Sequence, residues 1–447
     1  QARPGNLSIS QRVFTQPLQQ GVAIIIGVKH RDLGAQNGLA EVFRGDLWGA
    51  RKEKYEALWA ATLEGFDWTS LDLRGPLYSF VERDWCLLET YQRGFAVNEF
   101  MPSYVTGIIS MGDGFAIAET SAQLNHNYED LTLGMHTNES FGSSYKVGES
   151  YSKWILKNRT NLAEEKLAPV AYCYRPFDKR VTYFDNRILW RWRFDVMKHM
   201  LAANIGLVFC RQTVSDNWSH SLVASCLVDD CFISNRTKER GYVAPLYLYP
   251  DQGDLDQSRR VNFDPKLYRE MCAKAELDGE HDGVAEAVFD FIYGVLHCPM
   301  YRETYAEFLK IDFPRIPWPE SPEQFRNISA KGNQLRQLHL MDPAAVGEAR
   351  YPLHGDGDMR VAPGFPKFEV GANGLGEVFI NDEQRFVGAP EVSWGFWIGG
   401  YQPAQKWLKD RRGRELSTDD LIHYQRILKI LSETDKIMRT ITMDLPT

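Results

Sequence analysis

Residues 171–212 read AYCYRPFDKRVTYFDNRILWRWRFDVMKHMLAANIGLVFCRQ, and the rest of the chain is organised around this stretch. Arginines at 175, 180, 187, 191, 193 and 211 alternate with Tyr172, Tyr174, Phe177, Tyr183, Phe184, Trp190 and Trp192. Guanidinium groups interleaved with flat rings suit a surface that holds phosphates and stacks on bases. They equally suit an Arg-rich β-hairpin whose aromatics enter the core while its arginines stay solvated. Within the stretch, VTYF, ILWRWRF and IGLVFC read as strands, and Val196–Leu201 reads as a short helix. Taken alone, the stretch leaves both readings open.

Downstream, CLVDDCFIS and VAPLYLYP continue the strand-rich pattern to residue 250. The pair Asp229-Asp230 has the composition of an acid/base or metal site. No third ligand accompanies it, so a strand-end or salt-bridging role is the better reading. Residues 283–310 carry helical spacing, and Pro299 stands near the first position of a new helix, where its missing N–H costs nothing. The prolines of IDFPRIPWP impose extended backbone, and Ser321-Pro-Glu-Gln324 is a capping box opening a helix to about Leu340. Glycines 371, 374 and 376 imitate a nucleotide-binding loop, but a strand-like EVFIN follows them, so 366–381 reads as a hairpin. From Ser417 a final helix keeps Leu421, Tyr424, Leu428, Leu431 and Met438 on one face.

Upstream, 150–167 has helix-like spacing, and 76–150 reads as short strands and loops punctuated by glycine. The run GVAIIIGV at 21–28 has the pattern of a strand buried on both faces, and RKEKYEALWAATL at 51–63 that of a helix. The resulting expectation is an α+β chain: a β-rich recognition domain with flanking helices, preceded by the trailing strands of an α/β sheet. Its expected boundaries are 1–75, 76–150, 151–345 and 346–447.

Composition narrows the function. The net charge of −8 excludes a uniformly basic coat for nucleic acid. Between Lys153 and Arg211, however, twelve Lys and Arg face five Asp and Glu, a local excess of seven positive charges. Such a split suits a protein that grips DNA with one surface. Seven cysteines, with no CxxC pair and no histidines at zinc spacing, point to a reduced cytoplasmic chain without a structural metal. No apolar run reaches membrane-spanning length, and Gln1 reads as the start of a fragment or processed piece. There is no GxxxxGK[ST], GxSxG or HExxH, and no Asn/Asp-Pro-Pro-aromatic tetrapeptide of the kind that amino-methyltransferases place against a flipped base. The chain by itself is therefore expected to be non-catalytic and to hold no cofactor.

Four stretches resemble the C-terminal part of Type ISP restriction-modification enzymes and similar large N6-adenine methyltransferase fusions. They are Tyr174–Arg180 with Asp195–His199 and Leu207–Gln212; Val243–Pro250; Tyr301–Pro317; and Gly399–Gln402 with Lys406–Arg411 and His423–Gln425. Residues 21–24 are also similar to a late strand of that family's methyltransferase domain. The pattern departs at Gly107–Asp113, where Ser110 and Gly112 stand in place of the family's usual Thr and Arg or Asn.

The resemblance implies a target recognition domain for double-stranded DNA. It also implies methyltransferase, helicase-like and nuclease domains in cis or on a partner chain, and S-adenosylmethionine for the parent enzyme. With it, the DNA-contact pool becomes Arg175, Lys179, Arg180, Arg187, Trp190, Arg191, Trp192, Arg193, Arg211 and Gln212. The competing classes are an aromatic-rich carbohydrate-active protein and a protein-interaction module.

Overall fold

The computed structural model describes residues 25–28, 39–75, 78–251, 253–281 and 283–445. It divides into two units, Gln1–Leu88 and Glu89–Thr447. In the first, Val42–Arg44 pairs antiparallel with Thr69–Leu71, and a helix spans Arg51–Ala60. The expected strand at 21–28 lies partly outside the described residues. Its described part, 25–28, is unpaired, with Ile25, Ile26 and Val28 exposed. No methyltransferase-like sheet is present among the described residues of this unit.

The second unit is α+β, with several small sheets among its helices; helix makes up 40% of the chain and strand 18%. Strands β1 (Val105–Thr106) and β2 (Ile117–Ala118) lead into helices α1 (Ser121–Leu133), α2 (Asn138–Tyr145) and α3 (Glu149–Ala163). Helices α1 and α2 stand where glycine punctuation predicts strands and loops, and SAQLNHNYEDLTL offers few apolar anchors. Those few suffice. Leu124 and Leu131 recur on one face and are fully buried, each stabilising by about 1.5–3 kcal/mol. Thr120 and Thr137 cap α1 and α2 by accepting from the backbone N–H of Gln123 and Ser140.

The central strands are β3 (Pro169–Arg175), β4 (Asp178–Tyr183), β5 (Gly206–Cys210), β6 (Ser221–Ala224), β7 (Leu227–Val228) and β8 (Gly241–Pro245). One sheet has the order β7-β3-β4-β2, in which only β7 and β3 are parallel. A second has the order β1-β8-β5-β6 and is antiparallel throughout. Residues 107–110 join the two. Gly107 N–H donates to Gly241, Ile108 N–H to Val228, and Asp230 N–H back to Ile108, at 3.0, 2.8 and 2.9 Å. A Cβ on Gly107 would sit 2.4 Å from the Asp229 carbonyl oxygen, so only glycine allows this approach.

The expected strand ILWRWRF is absent. Asp185 accepts from the backbone N–H of Arg187 at 2.7 Å through its carboxylate, and its carbonyl accepts from Ile188 and Leu189. The resulting turn buries Ile188 and Leu189 and leaves only Arg191 bridged, to Ile109.

Helices α4 (Val284–His297) and α5 (Pro322–His339) cross closely, and Ser321 caps α5 by accepting from the Gln324 N–H, while the Gln324 side chain accepts from the Glu320 N–H instead of closing the expected box. Their contact is at Gly332, where a Cβ would lie 1.8 Å from the Asp290 carbonyl oxygen. Beside it Arg336 makes a bidentate pair with Asp290 at 2.6 and 2.9 Å. A third sheet, β9 (Leu353–His354), β10 (Lys367–Val370), β11 (Leu375–Phe379) and β12 (Arg385–Pro390), has the order β9-β12-β11-β10. Its β10–β11 hairpin contains the glycines set aside as a cofactor loop. Helix α6 (Thr418–Met438) buries Tyr424, Leu428 and Leu431 in the same core as Tyr172, Val208 and Leu222. Among the described residues no helix is long and apolar enough to cross a membrane.

Candidate functional site

The β3–β4 hairpin draws its arginines inward. Arg175 has a side chain only 11% exposed and donates to Asp229 at 2.7 Å, while its guanidinium stacks 3.8 Å from the centre of the Tyr174 ring. Arg180 stacks on the same ring at 4.0 Å and pairs with Asp178 at 3.0 Å. Asp178 also holds Arg411 of the C-terminal region at 3.0 Å. Burial works against its charge, yet Arg180 and Arg411 keep its carboxyl below the usual range. Arg187 forks between Glu165 at 2.6 Å and Asp185 at 2.5 Å, tying the turn to the end of α3. Lys179 is exposed and donates to Ser225 at 3.2 Å. Phe177 is buried in the core.

The second half of the pool has a different fate. Where 107–110 joins the sheets, Arg191, Arg193 and Arg240 gather around Asp230, whose carboxyl burial pushes up against the pull of all three. Only Arg240 closes an ion pair with it, at 3.1 Å. Arg191 is exposed and makes no side-chain hydrogen bond or ion pair among the described residues. Arg193 carries two marks of strain. Its φ is +56°, a left-handed conformation costing a β-carbon residue about 1–2 kcal/mol, and its Nε is buried without a partner. Burial, followed by the charge of Arg191, lowers the proton affinity of that guanidinium.

Aromatic rings extend this cluster into a tract. Tyr242 is among the groups acting on Arg193, and its ring lies 5.8 Å from Tyr104 and 5.1 Å from Phe313. Arg211 stands 5.6 Å over Phe313 and pairs with Asp312 at 2.9 Å. Gln212, also exposed, donates to the Ile311 carbonyl at 3.3 Å. The tract therefore holds four guanidiniums and two carboxylates around three rings, an arrangement that favours anions and flat π-systems.

Trp190 is 48% exposed, with its edge against Trp154 at 5.4 Å. Trp192 is half-buried between Phe184 at 5.0 Å and Phe194 at 4.7 Å.

Sequence reasoning missed Arg240, Tyr242, Tyr104 and Phe313, which reach the tract from three distant segments. One signal was available: Arg240 and Tyr242 are two apart at the start of a strand and so share a face. The Asp229-Asp230 pair divides by the same alternation. Asp229 faces inward to Tyr172 at 2.7 Å, Arg175 and the Cys231 N–H, whereas Asp230 faces the tract. Both form salt bridges, as the sequence suggested. Among the described residues no group of three His, Cys, Asp or Glu is placed to hold a metal.

A family model described as the Type ISP C-terminal specificity domain matches residues 99–440. No curated protein matches the chain. Three solved structures share its fold at 16% identity. The DrdV–DNA complex aligns with a TM-score of 0.68 over 89% of this chain and 43% of its own. A nuclease-deletion mutant of the Type ISP restriction-modification enzyme LlaGI, in complex with a DNA substrate mimic, gives 0.61, 90% and 39%. The ATP-dependent Type ISP restriction-modification enzyme LlaBIII bound to DNA gives 0.64, 90% and 27%. The chain thus spans less than half the length of each of these proteins.

Proposed function

The chain belongs to the Type ISP C-terminal specificity domain family, and from that premise we propose that it recognises a specific double-stranded DNA sequence for a restriction-modification enzyme. The observation that carries this reading is the tract of Arg191, Arg193, Arg240 and Arg211 on an aromatic floor, in which two guanidiniums have no carboxylate of their own. In water a cluster of like charges repels itself; on a duplex it releases condensed counterions and binds. Phosphate contacts fix register, and a few side chains reach base edges in the major groove. Lys179, Trp190 and Gln212 are exposed and available as flanking contacts.

Adenine methylation and restriction would be carried out by methyltransferase, helicase-like and nuclease domains, in cis or on a partner chain, in the cytoplasm. S-adenosylmethionine would belong to the methyltransferase domain. The glycine-rich segment here that imitates a cofactor loop is a hairpin turn between β10 and β11, which does not fit that group.

The test is a titration of random-sequence duplex across salt concentrations, beside a panel of soluble glycans. DNA recognition requires duplex affinity that falls steeply as salt rises, with no glycan binding. A salt-insensitive response, or retention on a glycan, would overturn the reading.

A further inference from the structure

Every charged group on the tract but one kind suits a phosphate. The exceptions are Asp230 and Asp312, and they are not alike. Asp312 is well exposed, and its pair with Arg211 is a surface one. Asp230 is only 13% exposed and is held in place from behind. Its backbone N–H donates to Ile108 at 2.9 Å. Its neighbour Asp229 is clamped by Tyr172 and Arg175, both at 2.7 Å. Gly107 packs against both residues too closely for a side chain, its position for a Cβ being 2.5 Å from the Asp230 nitrogen. One carboxylate oxygen of Asp230 is buried without a partner, and the other is satisfied by Arg240 alone, whose side chain is 57% exposed.

A fixed carboxylate on a surface meant for phosphates costs affinity for any duplex, so it requires another explanation. We propose that Asp230 is a specificity-determining residue that accepts a hydrogen bond from the exocyclic amino group of an adenine or a cytosine in the major groove; this rests on the DNA-recognition reading above. The exposed member of the pair, Arg240, is drawn to a phosphate when the duplex docks, and Asp230 loses its one partner. A base that offers an N6 or N4 amino group replaces that partner, whereas thymine or guanine at the same position presents an oxygen acceptor and leaves the carboxylate unpaired. Discrimination then comes from the penalty on the wrong base more than from attraction to the right one, as expected of a polar group that must not be left unsatisfied.

The experiment is selection from a randomised duplex library by the intact 447-residue chain and by its Asp230→Ala, Asp230→Asn and Arg240→Ala variants, with a thermal melt of each. The wild type should enrich adenine or cytosine at one position by about tenfold or more. Asp230→Ala should lose that preference alone while keeping the other selected positions and binding random duplex more tightly. Asp230→Asn, which keeps the side chain's shape, covers the case in which the alanine variant fails to fold. It should weaken the same position. Arg240→Ala should lower affinity for all sequences and leave the preference in place. An unchanged preference in a folded Asp230 variant overturns the assignment, as does a uniform loss at every position. A wild type that selects no sequence overturns it as well. A wild type that binds no duplex at all brings down the DNA reading instead, so the two failures are distinct.

Discussion

The arginines of the β3–β4 hairpin and those of the tract come from one continuous stretch, yet they do opposite work. Arg175, Arg180 and Arg187 each meet a carboxylate supplied by another segment, by the same strand or by the turn: Asp229, Asp178, and Glu165 with Asp185. They bind the sheet to its surroundings. Arg191 and Arg193, a few residues on, leave the turn at Asp185 on backbone that pairs with Ile109, and no carboxylate comes to meet them except the shared Asp230. Residue type and local spacing are the same in both regions. The difference is which counter-charge the fold brings to each guanidinium, and that decides whether an arginine supports the structure or remains available to a ligand.

The comparison is broken most sharply at Arg175. Replacing it with alanine leaves Asp229 buried without its charge partner, and breaking such a pair costs about 3–5 kcal/mol. Arg175→Ala should therefore melt far below the wild type, by calorimetry or circular dichroism, whether or not DNA is present. A melting temperature within a degree of the wild type would show that hairpin arginines are not structural.

Acid should destabilise the fold on which both regions rest. Burial holds His339 down to about 3, from an ordinary 6.5, where it accepts from Tyr293 and faces Thr434 between α5 and α6. The unfolded chain takes up that proton and the folded chain does not, so stability is complete above about 6.5 and declines as pH falls from 6.5 toward 3. The buried Glu239 adds to the lower end. Burial works to raise its carboxyl, but hydrogen bonds from His220, Ser234 and Ser215 hold it below 4.5, so it too loses stabilisation as acid protonates it. Urea midpoints taken between pH 7 and pH 4 should fall by an amount corresponding to a few kcal/mol, since each tenfold difference in proton affinity between the folded and unfolded chain is worth roughly 1.4 kcal/mol. His339→Gln should flatten the upper part of that curve.

Smaller effects sharpen the contrast. Arg211→Ala should weaken duplex binding by about 1–3 kcal/mol if the residue reaches a base, with little change in melting, because its pair with Asp312 is exposed. Arg187→Ala should do the reverse, costing about 1 kcal/mol of stability and leaving the affinity for DNA as it was. Equal effects of the two on affinity would erase the distinction.

How much of this was legible in advance follows from where the information lies. Ser321 and Ser417 announced their helices because a cap is local: the hydroxyl, the N–H it accepts from and the first helical turn fall within four residues. The glycine-rich hairpin was legible for the same reason. Helix α1 was not, since its polar sequence is held by two buried leucines whose partners come from elsewhere in the fold. ILWRWRF was read as a strand from its composition, but the side chain of Asp185 closes a turn that overrides that preference. For the site, the stretch itself was found from its residues, and the division within it was not. Asp229, which settles the fate of Arg175, and Asp230, around which Arg191 and Arg193 gather, lie dozens of positions from the arginines they govern.

The most direct measurement is the duplex affinity of the double variant Arg191→Ala/Arg193→Ala, taken with its melting temperature against the wild type. Neither residue closes an ion pair among the described residues, and Arg193 is strained, so the fold should be unharmed while affinity falls at least about tenfold. Wild-type affinity in the double variant, with the fold intact, would contradict the claim that this tract is the surface that holds DNA.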